Sequence, residues 1–280
     1  MSWQIAIVHR TGYKYAEPVR ASYNEARLTP PSVDGQRTLR STLTTTPSVR
    51  PMRYIDYWGT TVDAFDIHVP HVELVVEATS TVETSAARPR PAGIGWSELA
   101  DPAVQDTMAE LLAFSSYVWA EPELAELGKS IRAESAPLEA GLRAAAWTNE
   151  TLAYEPGATH VHTSSAEARA AEKGVCQDFA HVTLALLRAT GLPARYVSGY
   201  LHPVVDAEVG QKTAGESHAW VEFWAGEWVA VDPTSLADVG ERHVLLARGR
   251  DYADVRPLAG VYSGPPAESF GVGVEVTRLG

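Results

Sequence analysis

The sequence predicts an α+β protein, on three observations. Residues 1–85 carry strand patterns without helical periodicity, residues 101–190 repeat apolar side chains at three- and four-residue spacing, and residues 194–234 return to strand patterns. Between the first two stretches lies Ala86-Ala87-Arg88-Pro89-Arg90-Pro91-Ala92-Gly93-Ile94-Gly95, whose prolines and glycines suit a connection. The organisation read from this is a β-rich N-terminal domain over 1–85, a linker over 86–100, and a second domain over 101–280. With 280 residues, 45% of them hydrophobic, the chain has enough apolar material for one large core or two smaller ones.

In the first part, Trp3 to His9, Val62 to Val69 and Val72 to Val82 alternate or run apolar with many β-branched residues. Pro30-Pro31, Asp34-Gly35 and Trp58-Gly59 separate the runs, which predicts a mostly antiparallel sheet or a small sandwich. His9, His68 and His71 are scattered over these strands and are assigned structural or surface roles. Beyond the linker, Asp101-Pro102 opens a helical segment through Trp119, followed by Glu123 to Ala133 and Pro137 to Leu152. A short helix from Ser164 or Ser165 to Lys173 has a serine cap, and Gly174 ends it.

Gly174-Val175-Cys176-Gln177-Asp178-Phe179-Ala180-His181 then begins another helix, with an apolar stripe from Phe179 and a stop at Gly191 and Pro193. The chain's one cysteine therefore falls in the first helical turn. Unpaired N–H groups and the positive end of the helix dipole favour a thiolate there, and reactive cysteines in such places have pKa values of ~3.5–7.5 instead of ~8.5. A lone cysteine is commonly just a small buried hydrophobe. What singles this one out lies downstream. Ala194 to Leu201, Ser217 to Trp224 and Trp228 to Thr234 read as strands, and Ala225-Gly226-Glu227 is a hairpin-sized turn. Folding there brings His218 within a residue or two of Asp232 on the paired strand. Cys176, His218 and Asp232 are thus candidates for nucleophile, base and orienting acid.

These motifs, GVCQDFAH, SHAWVEFW and VAVDPT, resemble in type and order the core of the transglutaminase-like cysteine enzymes. Leu152-Ala153-Tyr154-Glu155-Pro156-Gly157-Ala158-Thr159 and the tail Gly249 to Pro257 are similar to the bacterial branch. Tyr13, Tyr15, Pro18-Val19, Asn24-Glu25 and Arg27-Leu28 fit the opening pattern of its N-terminal β domain. The resemblance implies a papain-like core with the cysteine helix packed on an antiparallel sheet, and it carries catalytic roles onto Cys176, His218 and Asp232. It leaves the reaction open among hydrolysis, acyl transfer and a non-catalytic scaffold.

The expected activity is thiol-dependent cleavage of peptide or isopeptide amides through a thioester, with protein-glutamine acyl transfer as the alternative. Scaffold is the weakest of the three because all three residues are intact. The oxyanion would meet the Cys176 amide, with Tyr154, Gln177 or Trp220 as side-chain additions for oxyanion or substrate; aromatic packing and solvation are their plainer readings. No cofactor is called for. His160 and His162, joined by His181 or Asp178, could be drawn as a metal site, but no spacing typical of metal ligands supports it, and no metal is assigned. The loop from His202 to Ala214 is either one wall of a substrate groove or a surface loop. A formal charge of -12 argues against nucleic acid or anionic lipid as main partners, leaving a peptide or protein substrate. No stretch approaches the ~20 apolar residues of a membrane span. The single cysteine and the absence of a leader pattern at Met1 to Val8 suit a reducing compartment, so the expected location is the cytoplasm.

Overall fold

The computed structural model describes residues 2–269 and 271–280. Six strands come first: β1 (Ser2–Val19), β2 (Ala21–Ala26), β3 (Gln36–Thr46), β4 (Met52–Ile55), β5 (Thr61–Ile67) and β6 (His71–Ser85). In β1 the side chains of Trp3, Ile5 and Ile7 are buried and those between them less so, the period of two that a half-covered strand requires. β6 pairs antiparallel with β1 along most of its length, from Ser2↔Ser85 to Lys14↔Glu73.

The helical part holds α1 (Trp96–Leu99), α2 (Pro102–Thr107), α3 (Ala109–Leu112), α4 (Pro122–Glu134) and α5 (Pro137–Thr151). The expected helix to Trp119 stops at Leu112. The Ser115 hydroxyl accepts from the N–H groups of Tyr117 and Val118, drawing the backbone out of the helix. Next come β7 (Ala153–Tyr154), α6 (Ser165–Ala171), β8 (Lys173–Gly174) and α7 (Cys176–Thr190). Phe179, Leu184, Leu186 and Leu187 of α7 are almost fully buried, each burial contributing roughly 1.5–3 kcal/mol. This helix is therefore the anchor of the second part, and Cys176 rides on its end.

The chain closes with β9 (Ala194–Leu201), β10 (Lys212–Trp224), β11 (Trp228–Val231), β12 (His243–Gly249), β13 (Leu258–Ser263), β14 (Ala267–Ser269) and β15 (Gly273–Arg278). Among the described residues the main sheet runs β12-β9-β10-β15-β1-β6-β3, with β11 on β10 and β14 on β1. A second sheet runs β13-β2-β5-β4. The last strands thus return to the N-terminal part. β15 lies between β1, at Ile5↔Arg278 to Arg10↔Gly273, and β10, at Lys212↔Thr277 to Gly215↔Val274.

Candidate active site

Three local features aim the Cys176 end of α7. Val175 is extended, at φ -115° and ψ -177°, so the helix starts abruptly at Cys176. The Asp178 carboxylate accepts from the Val175 N–H at 2.7 Å and from the Thr159 hydroxyl at 2.5 Å, tying the helix start to the segment after Tyr154. A Cβ on Gly174 would sit 2.6 Å from the Asp178 side chain, which is why the residue before Val175 has none. Burial raises the Asp178 pKa, against the pull of the Thr159 and Val175 hydrogen bonds. Cys176 itself is partly exposed, and its Sγ lies 3.9 Å from the Ser217 carbonyl oxygen.

His218 sits on β10 opposite Gly199 of β9. A Cβ on Gly199 would come 2.2 Å from the Val244 carbonyl and 2.5 Å from the Trp220 ring, so a glycine is required for β9, β10 and β12 to close here. The β10–β11 hairpin pairs Trp224 with Trp228 and Val221 with Val231, and Asp232 follows directly. His218 Nε2 and Asp232 Oδ2 are 2.9 Å apart, with side-chain exposures of 10% and 0%. Asp232 also accepts from the Thr234 N–H and the Ser235 hydroxyl, both at 2.9 Å. Burial would raise its pKa, but the His218 bond first, then the nearby His243 ring and the Ser235 bond, hold it well below the usual carboxylate range. For His218, burial would lower the pKa; hydrogen bonds to Asp232 and to Cys176 outweigh it and push it up to about 10. With Nε2 on Asp232, Nδ1 is the nitrogen left for the thiol.

The other residues singled out in the sequence lie as follows. Gln177 donates its amide to the Val161 carbonyl at 3.2 Å. Tyr154 is 46% exposed, 6.2 Å from the Phe179 ring, on the short strand that pairs with Gly174. Trp220 is buried, edge-on to His243 at 5.3 Å and tilted over His218 at 6.2 Å. Its indole N–H has no partner among the described residues. The expected loop to Ala214 is shorter: residues 212–214 are strand, the start of β10 paired with β15, and the loop before them docks on the end of β15, where Arg278 donates to the Ala207 carbonyl and Gly210 to that of Arg278.

His160 and His162 are exposed, whereas His181 is buried between Tyr117 and Tyr196 and accepts the Tyr252 N–H. Burial, then Arg188, lowers the His181 pKa to about 3. His9 is buried with Nδ1 2.9 Å from the Tyr200 hydroxyl. Among the described residues the compact set of metal-ligand types is His218, Asp232 and His243, whose ligand atoms lie within 4.8 Å of one another. The Asp232 oxygen in that set is already held by His218 and Ser235.

Two further groups at the site escaped the sequence reading. Ser235 carried a signal, since Asp-Pro-Thr-Ser is a spacing at which an aspartate caps its own turn. His243 carried none. It belongs to β12, and its Nε2 reaches to 3.8 Å from Asp232 Oδ2. A cleft of about 510 Å³ lies behind this layer, away from Cys176, with Trp220 and His243 in one wall and residues 85–91 in another.

Residues 125–233 match the model of the transglutaminase-like superfamily, and residues 5–83 match that of the bacterial transglutaminase-like N-terminal region. The uncharacterized protein ML0607 of Mycobacterium leprae is 47% identical over 277 residues, 99% of both chains. The uncharacterized protein Rv2569c of Mycobacterium tuberculosis is 32% identical over 96% of this chain and 91% of its own. A protein-glutamine gamma-glutamyltransferase of Pseudomonas aeruginosa matches over only 67 residues, at 40% identity, 22% of this chain and 10% of that one. A crystal structure titled "a Putative Cysteine Protease from Cytophaga hutchinsonii" superposes over 100% of this chain and 92% of that one, with a TM-score of 0.80 at 22% identity, a likeness of fold. With both parts of the chain matched and a relative aligned end to end, the chain belongs to the transglutaminase-like superfamily, in the branch that carries the bacterial N-terminal region.

Proposed function

We propose that the protein is a thiol hydrolase that cleaves peptide or isopeptide amides. The observation that carries this reading is the buried His218–Asp232 pair beside Cys176 at a helix start. His218, with its pKa raised, is the proton carrier of the site, and the Cys176 sulfur, once its proton has passed to that ring, is the nucleophile. The sulfur attacks the amide carbon, and the oxyanion meets the Cys176 N–H, which at the first helical position has no partner within the helix. The C–N bond breaks as His218 passes its proton to the leaving amine, leaving a thioester on sulfur. Water then gives a proton to His218 and its oxygen to the carbonyl carbon, and the C–S bond breaks to release the acid. Asp232 keeps the ring oriented through both halves and stays ionised.

An acyltransferase would run the same first half and pass the acyl group to an amine. The short match to the gamma-glutamyltransferase favours that alternative. Against it, water at ~55 M competes for any exposed thioester, and transfer needs a dry site that receives a neutral amine. A chain of net charge -12 attracts lysine side chains as cations, which must lose a proton before attacking. Incubating the enzyme with acyl-donor peptides and graded primary amine, with products read by mass, is expected to yield the free acid. Amine adducts dominating at millimolar amine would replace this reading with the transferase.

A further inference from the structure

His243 is a buried side chain beside Asp232 that the mechanism above does not use. Its Nδ1 accepts the Gly240 N–H at 3.3 Å. A neutral imidazole accepting there carries its proton on Nε2, which has no hydrogen-bond partner among the described residues and points at Asp232 Oδ2, 3.8 Å away. The charged and titratable groups facing it are Asp232, His218 and Arg242. Burial lowers its pKa more than Asp232 raises it, and a charged His218 6.1 Å away disfavours a second cation, so the ring stays a neutral donor.

The turn and strand that hold His243 are in turn gripped by the N-terminal part. Gln36 of β3 is buried, and its amide makes a two-way clamp on Leu245, accepting the Leu245 N–H at 2.8 Å and donating to its carbonyl at 3.0 Å. Thr84 of β6, 2% exposed, donates to the Glu241 carbonyl at 2.5 Å. The backbone of Ala87 crosses Gly240 so closely that a Cβ there would lie 2.6 Å from the Ala87 nitrogen. Three grips thus bracket a segment six residues long, whose His243 side chain faces Asp232. A covering domain needed for burial alone would do so with apolar contacts; a buried glutamine amide matched to both polar groups of one residue sets position to within a hydrogen bond's tolerance.

We propose that the N-terminal domain, with the start of the linker that follows it, is a positioning element of the active site: through Gln36, Thr84 and the linker's Ala87 it sets residues 240–245 so that His243 presents Nε2–H to Asp232, which holds the ring of His218 toward Cys176. His243 and Gln36 are positioning residues. The proposal rests on the thiol-hydrolase reading for its catalytic consequence, but its test reads the thiol directly.

The test is the rate of Cys176 alkylation by iodoacetamide at pH 6 relative to pH 9, together with thermal melting, in the full-length protein. At pH 9 any exposed thiol reacts, so the ratio reports the pairing with His218 and not mere access. His243→Phe keeps a planar ring but removes the N–H and is expected to lower the ratio by about fivefold, within the range for contacting residues, whereas His243→Gln retains an N–H donor and stays near wild type. Gln36→Met should lower the ratio in the same direction and add nothing further in the His243→Phe background. Additive effects of the two, or a ratio unmoved by His243→Phe, would overturn the proposal. If Gln36→Met does not fold, Thr84→Val, which removes one hydroxyl, takes its place in the same cycle. A wild-type protein that shows this pattern yet cleaves no amide would defeat the hydrolase reading and leave the positioning role standing.

Discussion

Cys176→Ala abolishes turnover, to below about a thousandth of wild type, while the protein folds and melts as before. The size of the loss follows from the absence of any second thiol in the chain. The small effect on folding follows from position. Cys176 is partly exposed at the first residue of α7, and alanine there gives up little packing and is a good helix former. Hydrolysis rates with a peptide substrate and a melting curve check both halves. A purified variant retaining more than a thousandth of the activity takes Cys176 out of the mechanism, and one that loses its melting transition shows that the side chain is structural.

The second large effect is expected at His218. His218→Ala removes the cation beside the thiol and the proton donor for the leaving amine together, so turnover should fall by a factor of about a thousand or more. Labelling of Cys176 at pH 6 should fall with it, because an ordinary thiol is almost wholly protonated there. Equal labelling of wild type and variant across pH would defeat the ion pair. Asp232→Asn is expected to cost less, but more than a neutral swap. An asparagine oxygen can still accept from His218, yet its NH2 then faces the Thr234 N–H, which the carboxylate now satisfies.

The same pair contributes to the pH dependence of stability. His218 has a folded pKa raised to about 10, so its contribution is complete below the unfolded value near 6.5 and is lost as pH rises toward 10. Asp232 has a depressed folded pKa, so its contribution is complete above the unfolded value near 3.8 and is lost as pH falls below it. A melting temperature that declines from pH 6.5 toward 10 in the wild type, with the alkaline decline reduced in His218→Ala, is the expected profile; below pH 6.5 it falls too, because His9 and His181 are buried with lowered pKa values and the unfolded chain takes up the protons they refuse.

What the sequence made legible was local. The helix opening at Cys176 and the hairpin joining His218 to Asp232 are each encoded within a few residues, by an apolar stripe with its stop signals and by a three-residue turn. What it hid was either polar or distant. β3 is an edge strand of the main sheet with much of its surface in solvent, so Gln36 to Thr46 shows threonine, arginine and serine in place of an apolar alternation. Gln36 looks like a turn residue in the sequence, and it meets Leu245 only because two strands 209 residues apart converge. His243 is separated from Asp232 by eleven positions, and no periodicity spans them. Tyr196 reads as one more strand aromatic, although it packs on His181 and lies close enough to Cys176 to feel its charge.

The place of β15 gives the molecule an unusual relation between its covalent and its physical halves. β15, more than 180 positions beyond β6 in the chain, is the seam joining β1 to the strand that carries His218, so neither half is complete without it. The connecting peptide after Ser85 is largely exposed and outside any strand or helix. Severing it leaves two fragments stitched by backbone hydrogen bonds along β1 and β15 and by β13 against β2. A protein cut by a specific protease at a recognition site placed between Pro89 and Pro91 should still elute as one particle at the size of the intact chain and keep its thiol reactivity. Two separate peaks would mean that the peptide link, and not the shared sheet, holds the halves together.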